Sequence, residues 1–251
     1  MVKARRSARR GKRMSGSQRF LTAEWKNLVM LNYAVDRALL ERFVPAGTEL
    51  DAHQGEVYVS LIGFQFKRTC LLGWRIPFHQ DFEEVKLRFY VRRGLKRGVV
   101  FVREFVPKFA VAVIARIAYN EKYSCVPMSH RIEAHAGGNA VEAEYVWGSR
   151  SDRCSMRIES EGRGLLPPEG SLGQFISEHY WGYAAQRAGG CVEYEVQHER
   201  WPIRPTKLAR FSGNAAGFYG AEFAEVLMRT PDSAFMADGS PVTVSKGTRI
   251  C

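Results

Sequence analysis

The sequence predicts a mainly β (α+β) fold, a single antiparallel barrel or sandwich carrying a few short helices. Three observations predict it. In residues 84–92, Val85, Leu87, Phe89 and Val91 alternate with Glu84, Lys86, Arg88, Tyr90 and Arg92, the period-two signature of a strand with one apolar and one charged face. Residues 99–106 are apolar at both parities apart from Arg103 and Glu104, as in a central strand covered on both sides. Short strand-like runs recur at turn-punctuated intervals along the 251 residues, without an internal repeat.

Residues 1–18 stand apart. They are rich in Arg, Ser and Gly, contain no acid, and cannot bury enough surface to fold, which predicts a disordered basic tail followed by one domain over 19–251. Lys3, Arg5, Arg6, Arg9, Arg10, Lys12 and Arg13 supply seven of the eleven net positive charges, so the folded part is only mildly basic. Such a tail suits a phosphate backbone or an anionic surface, and Met14 is a second candidate start.

The first predicted strand is AEWKNLVMLNYAV, from Ala23. Asp36 then caps a helix over 37–43, whose stripe is Leu39, Leu40 and Phe43 and which must end before Pro45. Residues 49–66 predict a hairpin around Ala52-His53-Gln54-Gly55, with His53 a turn residue. The strands 84–92 and 99–106 form a second hairpin through the polar link 93–98. Pro107 opens a short buried helix over 108–118, with Ala110, Val113, Ile114 and Ile117 at helical spacing.

Residues 131–134 and 141–147 flank His135-Ala136-Gly137-Gly138-Asn139 as another hairpin, and 154–159 add a strand. Ser171 heads a helix with Leu172, Phe175 and Ile176 inward, leading to an aromatic run in which His179 is expected to be a hydrogen-bonded packing residue. Val192, Tyr194 and Val196 mark a strand, and 220–227 a final helix. The Asp238-Gly239 turn is predicted to join 233–236 and 242–245 as a closing hairpin.

A 45% hydrophobic share is ample for a sizeable core. Five scattered cysteines without a C-x-x-C pair predict reduced thiols in a cytoplasmic setting rather than a disulfide frame or a zinc site. No apolar run approaches the roughly 20 residues that span a bilayer, so no membrane association is predicted. Dinucleotide, phosphate-loop, nucleophile-elbow and H-E-x-x-H patterns are missing, and no metal or cofactor is expected.

Candidate chemistry therefore rests on charges inside apolar surroundings. Neighbours on a strand point to opposite faces, so Arg103 and Glu104 each need a separate partner across the sheet or a wet cavity. Glu83 and Glu84 diverge for the same reason. One of them is expected inward, as an acid/base or paired with Arg88 or Arg103. Lys122 follows the central helix. Turned into an apolar cavity its amine would be a nucleophile toward carbonyl compounds; turned outward it is only solvated.

The segments TAEWKNLVMLNYAVDRALLERFVPAGTELD, YVSLIGFQF, IPFHQDFEEVKLRFYVRR, RGVVFVREFVP, ARIAYNEKY, VPMSHR, SEHYWGY and SAFMADGSPVTV together resemble the bacterial YqjF-like family, the domain of unknown function 2071, over nearly the whole chain after Arg19. That family is similar in fold to acetoacetate decarboxylase, which implies a closed antiparallel β-barrel with flanking helices and an internal small-molecule cavity. The decarboxylase works through a lysine Schiff base, the amine being made nucleophilic by a cationic neighbour. By this resemblance, Glu83 or Glu84 falls near its catalytic glutamate, Ala115-Arg116 matches its Gly-Arg, and Lys122 lies within a few residues of its reactive lysine. Glu121 and Tyr123 flank Lys122 where a second lysine would stand, and roughly Ala23 replaces the arginine that would hold a substrate carboxylate.

The resulting expectation is a cytoplasmic barrel that binds a small carbonyl or carboxylate compound, with Lys122 as nucleophile, Glu83 or Glu84 as acid/base, and Arg88, Arg103, Glu104 and Arg116 as substrate contacts. As an enzyme it would be a decarboxylase-like lyase or a related Schiff-base enzyme. The alternative is a non-catalytic module whose tail contacts nucleic acid or an anionic surface. A homo-oligomer is left open.

Overall fold

The computed structural model describes residues 19–134 and 140–251; the predicted tail and the turn His135-Ala136-Gly137-Gly138-Asn139 lie outside the described residues. The chain starts with β1 (Arg19–Val35), α1 (Arg37–Glu41), β2 (Glu49–Leu50), β3 (Val57–Leu71), β4 (Phe82–Arg93) and β5 (Lys96–Val106). It continues through α2 (Phe109–Tyr119), β6 (Tyr123–Cys125), β7 (Met128–Ala134), β8 (Ala140–Gly148), β9 (Arg153–Glu161), α3 (Leu172–Ser177), β10 (Trp181–Ala185) and β11 (Cys191–His198). Then come β12 (Ile203–Arg204), β13 (Thr206–Gly213), α4 (Ala215–Tyr219), α5 (Ala221–Met228), β14 (Ser233–Ser245) and β15 (Thr248–Arg249).

The fold is mainly β, as the sequence predicts, and is built from two sheets among the described residues. The larger runs β12-β14-β1-β3-β4-β5-β10-β11-β15, with β2 on β4 and β6 on β5. Because β11 also pairs with β14, through Val196↔Val244 to His198↔Val242, the path of pairings returns to a strand it has already used. The pairing is not wholly antiparallel: β5 runs parallel to both β10 and β6. The smaller sheet, β13-β9-β8-β7, forms a second layer.

That layering explains why β4 alternates in sequence yet is buried on both faces up to Val91. Val85, Leu87 and Phe89 pack in one cluster with Tyr145, Trp147, Met156 and Ile158 of the smaller sheet. Glu84, Lys86, Arg88 and Tyr90 point the other way, where the curled sheet encloses a second cluster containing Trp25, Phe64, Phe82 and Phe175. The charged stripe of β4 is thus interior.

Several local predictions hold. The Asp36 carboxylate accepts from the Ala38 amide at 2.8 Å to start α1, and Ser171 Oγ accepts from the Gln174 amide at 3.3 Å to start α3. Strands β4 and β5 form the predicted hairpin, closing at Arg93↔Lys96.

Other predictions are corrected. The turn at His53 forms, through a bridge to Glu56, but β2 pairs with β4 instead of forming a hairpin with β3. The central helix starts at Phe109 and is only partly buried, with Ile117 81% exposed, because a single edge of it faces the interior. Asp238-Gly239 is not a turn: β14 runs straight through it. Gly239 has φ +95° and pairs with Lys26 beside the kink at Asn27, so the dipeptide serves a strand irregularity, and a Cβ at Gly239 would overlap the Trp25 carbonyl. Strand β13, rich in polar residues, is an addition that no apolar alternation announces.

Candidate functional site

The enclosed face of the large sheet holds a cavity of about 130 Å³. Its wall is mostly apolar, including Trp25, Phe82 and Phe101 from the strands and Val111 and Ile114 from the inward edge of α2. Into it project Glu84 and Lys86 of β4, Glu104 of β5, Glu121 and Tyr123 from the α2–β6 segment, and Tyr194 of β11.

Strand registry assembles this group. Glu84 and Lys86 share a face at a spacing of two; Lys86 lies directly across from Glu104, and Glu104 pairs with Tyr123 on β6. A register shift in β5 after Leu87↔Arg103 allows Phe101 and Glu104 both to reach the cavity. Gly182 of β10 makes room for Tyr194, since a Cβ there would overlap its ring.

Lys86 Nζ lies 3.0 Å from Glu84 Oε1, and both side chains are buried. The amine is surrounded by aromatic faces, 4.5 Å from the Phe101 centroid, 4.7 Å from Phe64 and 5.1 Å from Trp25. Tyr123 Oη donates to Glu84 Oε2 at 3.0 Å, and Tyr194 Oη donates to Glu121 Oε1 at 2.8 Å. Glu104 Oε2 is buried with no hydrogen-bond partner among the described residues.

Three carboxyls around one amine cannot all ionise. Burial, followed by the proximity of Glu121 and Glu84, raises the Glu104 carboxyl well above the usual range. Burial also pushes Glu121 up to about 8, against the opposing pull of Tyr194 and Lys86. Near neutrality Glu104 and Glu121 are therefore uncharged carboxylic acids able to donate, beside the close Glu84–Lys86 contact. Tyr123 and Tyr194 are raised well above the usual phenol range, chiefly by burial, and remain donors.

The predicted site residues fall into separate places. Glu84 and Glu104 line the cavity. Glu83 faces the other way, 2.7 Å from His130 Nδ1. Arg88 is buried on the Glu84 face but lies beyond the cavity wall, donating to the Ile176 carbonyl at 2.8 Å. Lys122, Arg103 and Arg116 line a separate outer groove of about 410 Å³. Lys122 is on the outer side because Glu121, its neighbour, takes the inward position beside Tyr194. Its Nζ sits 5.3 Å from the Phe43 ring, and burial and then Arg103 lower its pKa.

Sequence reasoning does not single out Lys86, Glu121, Tyr123 or Tyr194 as site residues. Lys86 carries a visible signal, because it shares the parity of Glu84. The other three are brought in by long-range pairing. Among the described residues no group of three or more His, Cys, Asp or Glu is arranged to hold a metal ion, and no helix is long and apolar enough to cross a membrane.

The sequence profile of the domain of unknown function 2071, described as an uncharacterized conserved protein, matches residues 22–241. The chain belongs to the DUF2071 family. A DUF2071 relative, the uncharacterized protein YqjF of Bacillus subtilis (strain 168), is 25% identical over 186 residues, covering 72% of this chain and 73% of that protein. This DUF2071 chain is also similar in structure to an acetoacetate decarboxylase-like enzyme from Sphingomonas wittichii RW1, with TM-score 0.67 at 12% identity, covering 97% of this chain and 98% of that one. The enduracididine biosynthesis enzyme MppR complexed with pyruvate gives TM-score 0.65 at 12% identity, over 91% and 90% of the two chains. Acetoacetate decarboxylase from Legionella pneumophila gives 0.64 at 11% identity, over 98% and 93%. At these identities the likeness is one of fold.

Proposed function

We propose that this DUF2071 protein binds a small uncharged carbonyl compound in the cavity, walled by the returning sheet as a closed barrel, and that Lys86 engages the carbonyl carbon as a Schiff base. The observation that carries this reading is the position of Lys86, the one lysine or arginine lining the cavity among the described residues, set among three carboxyls and three aromatic faces. One fold neighbour, the enzyme MppR, is complexed with pyruvate, which supports a small oxo compound as the class of ligand.

The chemistry follows from the protonation pattern. Glu84, 3.0 Å away, accepts the proton that Lys86 must lose to become nucleophilic. Nitrogen then attacks the carbonyl carbon. Glu104 or Glu121, held as the neutral acid, donates the proton with which the carbinolamine oxygen leaves as water, and the product is an iminium that withdraws electrons from the adjacent carbon. Among the described residues a substrate carboxylate would meet no arginine in the cavity wall and up to three carboxyls, so decarboxylation of an oxo-acid fits poorly. The amine is assigned to Lys86 instead of Lys122 because only Lys86 reaches the enclosed space.

Intact-mass analysis after borohydride reduction, with matched ketones, aldehydes and oxo-acids, tests this. An adduct is expected on the parent and on Lys122→Met, absent from Lys86→Met, and stronger with uncharged carbonyls than with oxo-acids. Thermal melts run alongside establish that Lys86→Met is folded. An adduct that depends on Lys122 would move the chemistry to the groove, and a panel yielding no adduct would remove the covalent mechanism.

A further inference from the structure

The outer groove is lined by four cations from separate parts of the chain: Arg103 on β5, Arg116 near the end of α2, Lys122 in the α2–β6 link, and Arg187 in the turn after β10. Some cations elsewhere are matched to acids, as in Arg97 with Asp51 at 2.6 Å, Arg42 with Glu222 at 2.7 Å and Arg157 with Glu142 at 3.0 Å. In the groove, Arg103, Lys122 and Arg187 have no carboxylate within ion-pairing distance among the described residues. The acid in the groove lining is Glu121, whose carboxyl is engaged by Tyr194 on the cavity side.

Gathering like charges in a concave, partly desolvating site is unfavourable unless something of opposite charge occupies it, and low-dielectric walls focus the field there. The pKa of Lys122 is lowered by burial first and by Arg103 second. Arg116 is held rather than free: its Nε donates to the Tyr123 carbonyl at 2.7 Å and its Nη2 donates to the same oxygen, which fixes the guanidinium plane at the groove wall. Phe43 and Val100 supply an apolar floor.

We propose that this groove is a second binding site, separate from the cavity, for a phosphate- or pyrophosphate-bearing small molecule. Its guanidinium and ammonium groups match the chemistry of a multiply charged oxyanion, and its volume of about 410 Å³ exceeds that of the cavity. The two sites share the wall formed by Phe101, Glu121 and Tyr123.

Calorimetric titration of the full chain with inorganic pyrophosphate tests the assignment. Saturable binding that weakens with added salt is expected. Arg103→Ala and Lys122→Ala should each lower affinity about tenfold or more, while Lys207→Ala, which removes an exposed cation on β13 in the other sheet, should leave it unchanged. Matching thermal melts show that the variants are folded. Non-saturable binding, affinity unchanged in both groove variants, or an equal loss in Lys207→Ala would overturn the proposal in favour of diffuse charge attraction.

Discussion

Glu121 and Lys122 are consecutive, and the difference of one residue decides which is buried with Tyr194 and which lines the groove with Arg103. Nothing local distinguishes them; the pairing of Tyr123 with Glu104 on β5 sets the parity. The inward carboxyl carries a measurable consequence. Its pKa is about 8 in the folded protein, against the ordinary 4.5, so between these values the native state holds a proton that the unfolded chain has released. Stability from this group is complete below about pH 4.5 and is lost as pH rises towards 8. Buried His179 and half-buried His198 are pushed the opposite way, chiefly by desolvation, to about 4, and their contribution is lost as pH falls below 6.5, the ordinary value. Well above pH 6.5 the histidines are neutral in both states, and across the range up to about 8 the Glu121 carboxyl outweighs them. Melting temperature should therefore decline from pH 6.5 to 8.5 in the parent, and decline less in Glu121→Gln. Calorimetric melts across that range check this; an unchanged slope would mean that Glu121 is ionised in the fold.

Strand β14 illustrates what an element can hide. Asp-Gly between two apolar runs is the strongest short-range hairpin signal, yet the chain continues straight, because Gly239 pairs with Lys26 of β1 and meets the Trp25 carbonyl. A left-handed φ of +95° and the close approach of a neighbouring backbone both require glycine there. Gly239→Ala should cost at least about 1–3 kcal/mol from backbone strain alone, read as a fall of several degrees in melting temperature. Gly55→Ala is a useful contrast: its φ is also positive, but its Cβ would meet nothing within 4 Å, so its loss should be smaller. Equal losses would show that overlap with Trp25 contributes nothing. Helix α2 shows the converse error, since apolar spacing at Ala110, Val113, Ile114 and Ile117 suggests burial, whereas only the edge carrying Ala110, Val111, Ile114 and Ala115 covers the cavity.

At the scale of the whole molecule, charge is divided between the basic first residues, the groove and a nearly neutral cavity. Seven cations in the first thirteen residues predict weak, steeply salt-dependent binding to duplex DNA that is abolished by deleting residues 1–13; binding that survives the deletion would place the contact on the folded domain. The sequence by itself determined the mainly β class, the β4–β5 hairpin, the caps at Asp36 and Ser171, the family, and the divergence of Arg103 from Glu104. All of these are carried by residues close together in the chain or by their pattern along it. Tertiary structure alone decided that the charged stripe of β4 faces inward, that Lys86 rather than Lys122 occupies the cavity, and that Glu84, Glu104 and Glu121 meet around it. Side-chain parity is a local property of a strand, but which of its two faces becomes enclosed depends on how distant strands pair, β11 with β14 and β5 with β6, and on where the second sheet packs.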